Sequence, residues 1–352
     1  MSREVGVSRP AERRNLRPLL IVLLWIGLIA LVASQFTSAR QLFDAVSNID
    51  WSWAAAAVAV HLGYFVAYTS LYVIAYRAVD VRSTLRGMVP ILFAAFFLKA
   101  VVPIEGAGSV AVFIEDARER GESGAGAAAG TLIVLLADLF SVLPVVALGY
   151  YFLAQSNLIE GWQLLALVAF LAFIGLVTAA LWFAARREVL LQRALDAVRR
   201  LSNRAGRVFG RPRLVAEDWV QHNTRQLSGA ARAIGADRQA VAILLALGVA
   251  LHAINVLGLA LVLLAFGVTP TAALLMAGFG INVVVFVTSI IPEGVGAVEG
   301  AMSIVFVALG LTAPTAIAVT LGFRLLNVWL PVGIGFFTIQ RLSILSGRQR
   351  AA

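Results

Sequence analysis

Apolar segments separated by short polar ones repeat along the whole chain. Six of them are long enough to cross a bilayer as α-helices, at residues 19–36, 54–76, 125–152, 162–185, 240–266 and 315–337. A membrane-spanning helix needs roughly 20 predominantly apolar residues. The pattern therefore predicts an all-α polytopic membrane protein. The first segment follows five arginines, which a signal peptide would also show, but its length and the later spans favour an uncleaved helix.

Two further apolar stretches, 88–116 and 271–310, are interrupted by helix-breaking and charged residues. The first interruption holds Pro103, Glu105, Gly106 and Gly108, and the second holds Pro292, Glu293, Gly294, Gly296 and Glu299. Such a break frees backbone N–H and C=O groups, so it is tolerated in lipid only inside protein or beside a wet cavity. We therefore expect two re-entrant hairpins with their tips at a polar site. A short extramembrane loop is the alternative for 292–300.

Arginines divide the predicted loops between two sides of the membrane. They are frequent in 1–17, 77–86, 118–120, 186–238 and 341–350, and loops of this kind face the cytoplasm. Both ends of 88–116 then lie inside, whereas both ends of 271–310 lie outside. The prediction is six full spans plus two opposed re-entrant hairpins. Both termini are cytoplasmic, and the protein lies in a bacterial-type plasma (inner) membrane.

The two halves of the chain follow one plan. His61 precedes Pro103 by 42 residues, and His252 precedes Pro292 by 40. Because the two hairpins enter from opposite faces, this spacing predicts an inverted-topology repeat, and transporters of that design bind substrate near the midplane. The chain divides into an N-terminal membrane half (1–185), an insert (186–238) and a C-terminal membrane half (239–352).

The insert carries twelve arginines against five acids and no long apolar run. This composition favours one or two cytoplasmic amphipathic helices that lie on anionic lipid. A solvated pair of linker helices is equally compatible with it.

Composition excludes several classes of chemistry. The chain is 61% hydrophobic, has no cysteine and three histidines, and its net charge of +9 is nearly all arginine. Disulfides and thiolate catalysis are therefore excluded, and two membrane histidines without a third ligand make a poor metal site. We expect no cofactor, no metal and no nucleic-acid partner. With no nucleophile–base pair visible, we also expect no enzymatic activity, and the arginines point to membrane lipids with anionic headgroups.

The second interruption resembles a known family. Pro292, Gly294, Gly296 and Glu299, followed by an apolar run and the span with Arg324, are similar to the P-x-G-x-G-x-x-E region of the lysylphosphatidylglycerol synthase transmembrane family, also called flippase-like. The resemblance covers roughly residues 18–340 and implies an integral membrane flippase-like domain. Full-length relatives couple that domain to a cytosolic aminoacyl-transferase that modifies phosphatidylglycerol. This chain ends at Ala352, so we expect the transferase activity to be absent.

Two features depart from the family pattern. Glu293 stands where the family usually has a glycine, which adds a charge at the hairpin tip. The first hairpin also lacks the arginine that commonly follows its glycines. Both departures bear on which substrate the resemblance implies.

Polar residues within the apolar segments are the candidates for a substrate path. They are Lys99, Glu105, Asp138, Glu293, Glu299, Arg324, Asn327, His61, His252 and Asn255. A charge in the bilayer centre costs about 2.5–3.5 kcal/mol on insertion scales, so each needs a partner or a function. The glycines at the hairpin tips suit tight turns and close packing better than ligand contact.

Arg324 and Asn327 share a helix face because they are three residues apart. The permanent charge of Arg324 suits a lipid phosphate, and it equally suits a structural ion pair with Glu293 or Glu299. Both roles are possible in different states of the protein.

The remaining candidates also have two interpretations. Asp138 is expected to pair with Lys99 or Arg324, or to be protonated and hydrogen-bonded. Lys99 otherwise snorkels toward an interface. His61 and His252 either carry protons or hydrogen-bond a neighbouring helix.

Three functions remain compatible with these patterns. The first is a lipid flippase or scramblase, which passes the headgroup of a phospholipid or a polyprenyl-phosphate-linked lipid through a polar cavity between the repeats. The second is a small-solute or ion transporter of the same design, and the third is a non-transporting membrane partner of a lipid-modifying enzyme. An open lateral groove favours the first, a closed central cavity the second, and a sealed core the third.

Overall fold

The computed structural model describes residues 49–101, 107–186, 238–289 and 291–341, together with isolated helical positions between 189 and 228. These residues form helices, turns and loops, without a strand among them. The helices are α1 (Trp51–Arg77), α2 (Leu85–Val101), α3 (Ala107–Glu119), α4 (Gly124–Ser141), α5 (Leu143–Gln155), α6 (Gly161–Arg186), α7 (Arg238–Ala265), α8 (Ala272–Thr288), α9 (Ala297–Ala308), α10 (Ala313–Arg324) and α11 (Leu330–Arg341). The prediction of an all-helical membrane protein is confirmed for this part of the chain.

Five helical stretches in the described ranges are long and apolar enough to cross a membrane. They are Trp51–Arg77, Gly124–Gln155, Gly161–Ala179, Arg238–Ala265 and Ala313–Ile339. Each coincides with one of the six predicted full spans, and the remaining prediction, 19–36, lies outside the described residues. Two shorter apolar helices, Ala272–Thr288 and Ala297–Ala308, occupy the stretch for which the sequence predicts the second hairpin.

Short polar side chains define where several helices begin. The carboxylate of Asp50 accepts a 2.9 Å hydrogen bond from the backbone N–H of Ser52 at the start of α1. Ser123 caps α4 in the same manner through Gly126, and Thr271 caps α8. Each cap satisfies an N–H group that has no partner within the helix. The caps therefore set the ends of the spans in a sequence whose apolar pattern continues beyond them.

Two of the long spans are interrupted in the middle. The first breaks between α4 and α5, where Pro144 stands in the first turn of α5, a position in which proline is tolerated because its missing N–H would have no partner there. The second contains a π-helical turn, Leu325–Trp329, between α10 and α11, in which the N–H of Leu330 bonds the carbonyl of Leu325. A single π-turn inside an α-helix is often found at a functional site.

The apolar residues form two neighbouring cores. One core joins α5, α6, α8, α9 and α10 around Phe279 and Phe306. The other joins α1, α2, α3 and α4 around Phe65. Helix α7 belongs to both, because Leu259 packs in the first core and Leu251 in the second.

Each half of the chain packs one of its short apolar helices against an interrupted span of the other half. Helix α2 lies along α11, and α5 lies along α8. Glycine allows both contacts, because a Cβ on Gly335 of α11 would overlap the backbone of Phe93, and a Cβ on Gly149 of α5 would overlap that of Met276. Small residues at such crossings let helix backbones approach closely in membrane proteins. The first helix of each short pair thus rests on the interrupted span of the opposite half.

Candidate functional site

A cavity of about 330 Å³ lies between the two halves of the helical bundle. Its size falls within the usual range of ligand sites. Most of the polar candidates of the described chain meet on its wall, and they are Lys99, Asp138, His252, Asn255, Glu293, Arg324 and Asn327. They come from α2, α4, α7, the α8–α9 turn and the π-turn region, so the cavity depends on the packing of both halves.

Arg324 is the most deeply buried charge at this cavity, with 1% of its surface exposed. Its Nε donates a 2.7 Å hydrogen bond to Oε1 of Glu299, and its Nη2 donates to the backbone carbonyl of Glu293. The other oxygen of Glu299 accepts a 2.7 Å hydrogen bond from the N–H of Gly296, at the start of α9. Glu299 therefore joins Arg324 to the end of the short helix pair. Of the two roles that the sequence leaves open for Arg324, the structural ion pair is present.

The turn between α8 and α9 has an unusual backbone. Pro292–Gly294 form a short 3₁₀ turn, in which Glu293 has φ +56°. Gly294 and Gly296 also have positive φ angles of +62° and +86°. Glycine adopts this left-handed region freely, whereas a residue with a Cβ pays roughly 1 kcal/mol. The strained Glu293 directs its carbonyl to Arg324 and its carboxylate to the cavity.

Lys99 is held between a carboxylate and an aromatic ring. Its Nζ lies 3.4 Å from Oε1 of Glu293, an ion contact without hydrogen-bond geometry. The same Nζ stands 4.2 Å from the centre of the Phe286 ring. Both contacts stabilise a cation. Lys99 therefore faces the interior of the bundle and does not snorkel toward an interface.

The residue in contact with Asp138 was not among its expected partners, although Lys99, one of the two, acts on its carboxylate at longer range. Its neighbour is His252, whose Nε2 lies 3.5 Å from Oδ1 and 3.2 Å from the backbone carbonyl of Asp138. Lys99 and Arg324 are held by the two glutamates instead. Asp138 keeps 31% of its side chain exposed and lines the cavity.

His61 and Glu299 are not among the residues that line the cavity. Glu299 lies behind Arg324. The Nδ1 of His61 lies 2.9 Å from the carbonyl of Ala57, one turn earlier on α1. Its ring fills the space beside Gly258 of α7 and meets Phe323 edge-on. His61 is therefore a packing residue at the α1–α7 crossing, although its position in the repeat matches that of His252.

The remaining predicted positions concern the first hairpin and the amide pair. Gly108 lies in the first turn of α3, whereas Pro103, Glu105 and Gly106 lie outside the described residues. The Nδ2 of Asn255 lies 3.5 Å from Oδ1 of Asn327 across the cavity wall, the limit of a hydrogen bond.

Sequence reasoning missed an aromatic wall on α1. Tyr64, Tyr68 and Tyr72 line the cavity, and Tyr76 continues the row at the same four-residue spacing. Four of the six tyrosines of the chain stand in this row. Tyrosine in a membrane protein normally lies at the interfaces, so a row of tyrosines along a span could have indicated a polar interior surface. Asn282 of α8 was also missed. It lines the cavity, and its Oδ1 has no hydrogen-bond partner in the described part of the chain.

Comparison with known proteins adds one match. The family model described as "Lysylphosphatidylglycerol synthase TM region" matches residues 18–335. No curated protein and no solved structure matches the chain. The matched range contains every described residue of the cavity wall.

Proposed function

Because the chain belongs to the lysylphosphatidylglycerol synthase TM-region family, we propose that its cavity passes an anionic lipid headgroup across the membrane. The substrate is a phospholipid or a polyprenyl-phosphate-linked lipid, whose acyl or prenyl chains stay in the bilayer. The protein acts as a transporter and not as an enzyme. The observation that carries the proposal is that two cations, Lys99 and Arg324, line one buried cavity, each held by a glutamate.

The paired cations suit a headgroup that must bind and then leave. An unpaired charge in the core is costly, and removal of one partner of a buried pair typically costs about 3–5 kcal/mol. Glu299 and Glu293 reduce that cost while the cavity is empty. An arriving phosphate supplies anionic oxygens that accept hydrogen bonds from the guanidinium as the carboxylate oxygens do, so Arg324 can exchange one anionic partner for another. Because one ion pair replaces another, the net free energy of binding stays small and the headgroup can leave again.

The cavity margin supports access from the lipid. Leu135 of α4 lines the cavity, and 41% of its surface is exposed. Asp138, one turn further along the same helix, lines the cavity beside it. A headgroup can therefore reach the carboxylate along α4 while its chains remain outside. This margin favours a lipid over a small solute, and the cavity itself disfavours a sealed, non-transporting core.

The reciprocal packing of the two halves supports an inverted repeat. In each half, an apolar helix pair packs on the interrupted span of the other half, as α2 does on α11 and α8 does on α5. We propose that the α2–α3 and α8–α9 pairs are re-entrant hairpins from opposite faces, beside six full spans. Both termini are then cytoplasmic in a bacterial-type inner membrane. The cavity lies where this design puts a substrate site.

Purified protein in liposomes tests the function directly. We expect movement of labelled anionic phospholipids or polyprenyl phosphates between leaflets, above the rate in protein-free vesicles, and slower movement of lipids without a phosphate charge. Arg324→Ala should remove the protein-dependent rate. Arg77→Ala, at the exposed end of α1, is the matched control and should retain it. If the folded parent moves no lipid of the panel, the proposal is wrong.

A further inference from the structure

The described charges at the cavity do not balance. Arg324 pairs with Glu299, and Lys99 pairs with Glu293. Among the described residues, Asp138 has no permanent cation within ion-pair distance, and Lys99 acts on it only at longer range. The group at ion-pair distance is His252, which carries a charge only when it is protonated. With His252 neutral, the described cluster holds one negative charge in excess. Such an excess in a low-dielectric interior favours uptake of a proton.

The geometry of Asp138 and His252 suits a shared proton. Their side chains come from α4 and α7 and meet at 3.5 Å between Oδ1 and Nε2. Both line the cavity, so water in the cavity can deliver the proton. The opposite ring nitrogen, Nδ1, is buried without a hydrogen-bond partner among the described residues. A second N–H at Nδ1 would have no acceptor among the described residues, which favours the Asp138 carboxylate as the group that takes up the proton.

We propose that Asp138 and His252 form a proton-binding site that couples headgroup movement to proton movement. This inference rests on the proposed function and supplies its driving force. In the empty state the pair is a carboxylate and a neutral imidazole. Uptake of one proton gives either a neutral carboxyl group or an imidazolium, and both remove the excess negative charge. An anionic headgroup then binds without net repulsion, and the proton leaves on the side where the headgroup is released.

The other described groups around Asp138 and His252 are less suited to bind this proton. Tyr64, Tyr68 and Tyr72 face it from α1, and tyrosine hydroxyls are neutral at neutral pH. Lys99 from α2 and Arg324 from α10 are each matched by a glutamate, and Asn282 from α8 does not titrate. Asp138 and His252 are thus the described pair whose total charge can change by one proton without breaking a formed ion pair.

Proteoliposomes that contain a pH dye and a labelled anionic lipid test the coupling. One coupled proton shifts the steady-state lipid ratio across the bilayer by up to about tenfold for each unit of pH gradient. We expect the parent to accumulate lipid away from the acidic side, with proton movement in the same direction. Asp138→Asn and His252→Gln should lose the response of the lipid ratio to the pH gradient, and any lipid movement that remains in them should follow the gradient of the lipid alone. His61→Gln, a buried histidine outside the cavity wall, should keep that response.

Infrared difference spectra between about pH 5 and about pH 8 test the site without transport. The parent and His61→Gln should share a carboxyl or imidazole difference band that is missing from Asp138→Asn and His252→Gln. If no lipid moves but this signal is present, the proposed function fails and the proton site stands. If lipid moves at a rate and to a ratio independent of the pH gradient, or if the signal survives both substitutions in folded protein, the proton site is overturned.

Discussion

Nε of Arg324 and Oε1 of Glu299 are joined by a 2.7 Å hydrogen bond between residues 25 positions apart. Both residues are buried, with exposed fractions of 1% and 6%. Glu299 also binds the backbone at the start of α9 through Gly296. The ion pair therefore connects the α8–α9 turn to the π-turn, and the same contact that positions a cation at the cavity also holds two helices together.

Substitutions at this pair should separate charge from geometry. Arg324→Lys keeps the charge but loses the planar fork, so lipid movement should fall while the protein stays folded. Arg324→Ala leaves Glu299 buried without a cation and should lower stability by about 3–5 kcal/mol. The double variant Arg324→Ala with Glu299→Ala should recover part of that loss without recovering transport. Thermal unfolding in detergent and lipid movement in liposomes measure the two effects. Parent-level transport by folded Arg324→Ala would exclude Arg324 from the path.

Two substitutions of Glu293 should separate the cost of its backbone conformation from the effect of its charge. Glu293→Gly removes the strain of the left-handed backbone, worth about 1 kcal/mol, and also removes the carboxylate beside Lys99. Glu293→Gln removes the charge and keeps the strain. We therefore expect Glu293→Gly to melt at a higher temperature than Glu293→Gln, and both to alter headgroup preference in the lipid panel. Equal melting temperatures would show that the backbone conformation carries no measurable cost.

The α2–α11 crossing should be sensitive to a single methyl group. Gly335→Ala places a Cβ against the backbone of Phe93, which cannot move aside as a flexible side chain can. We expect a loss of about 1–3 kcal/mol, as in other overpacked sites. Gly333→Ala is the control, because no atom lies within 4 Å of its added Cβ. A similar unfolding temperature for the two variants would contradict the close approach of α2 and α11.

Single cysteines should report the topology, since the chain has none of its own. The α2–α3 hairpin is expected to enter and leave the membrane on the cytoplasmic side, so Ser109→Cys in α3 should react with an impermeant reagent only from that side. Ser156→Cys, at the exposed end of α5, should react only from outside. Labelling of Ser109→Cys exclusively from outside would refute the re-entrant arrangement of α2 and α3.

The arginine-rich insert, 186–238, should bind anionic membranes. The side chain of Arg200 is 62% exposed, and both Arg199 and Arg200 contact Asp196, so these three side chains keep a net positive charge. Neutralising Arg199, Arg200 and Arg204 in the isolated segment should weaken its binding to anionic vesicles by about 1 kcal/mol for each arginine. Equal binding to neutral and anionic vesicles would favour the solvated linker instead.

The sequence predicts the spans well and the contacts between them poorly. Hydrophobic length locates α1, α6 and α7, and proline locates the break before α5, because both signals are local. The Arg324–Glu299 pair was one of two stated options. The Asp138–His252 contact was not predicted, since it depends on how α4 crosses α7.

The two histidines show why the interior face of a span is hard to predict. His61 and His252 occupy matching places in the two halves, yet one packs on Gly258 and the other lines the cavity. Their helices are apolar on nearly all sides, so no polar face indicates which side is turned inward. The tyrosine row on α1 was the stronger signal, because its four-residue spacing marks one side of the helix.

The π-turn at Leu325–Trp329 sets the rotational phase of the last helix. Its Leu330-to-Leu325 hydrogen bond accommodates one more residue than an α-helical turn does. If the turn reverted to α-helix with all its residues, everything after it would rotate by about 100° and advance by about 1.5 Å. Gly335 would leave Phe93, and a bulkier neighbour would take its place. The contact between Gly335 and Phe93 therefore stabilises the π-turn that begins ten residues earlier. The orientation of Arg324 relative to α2 cannot change unless this contact opens.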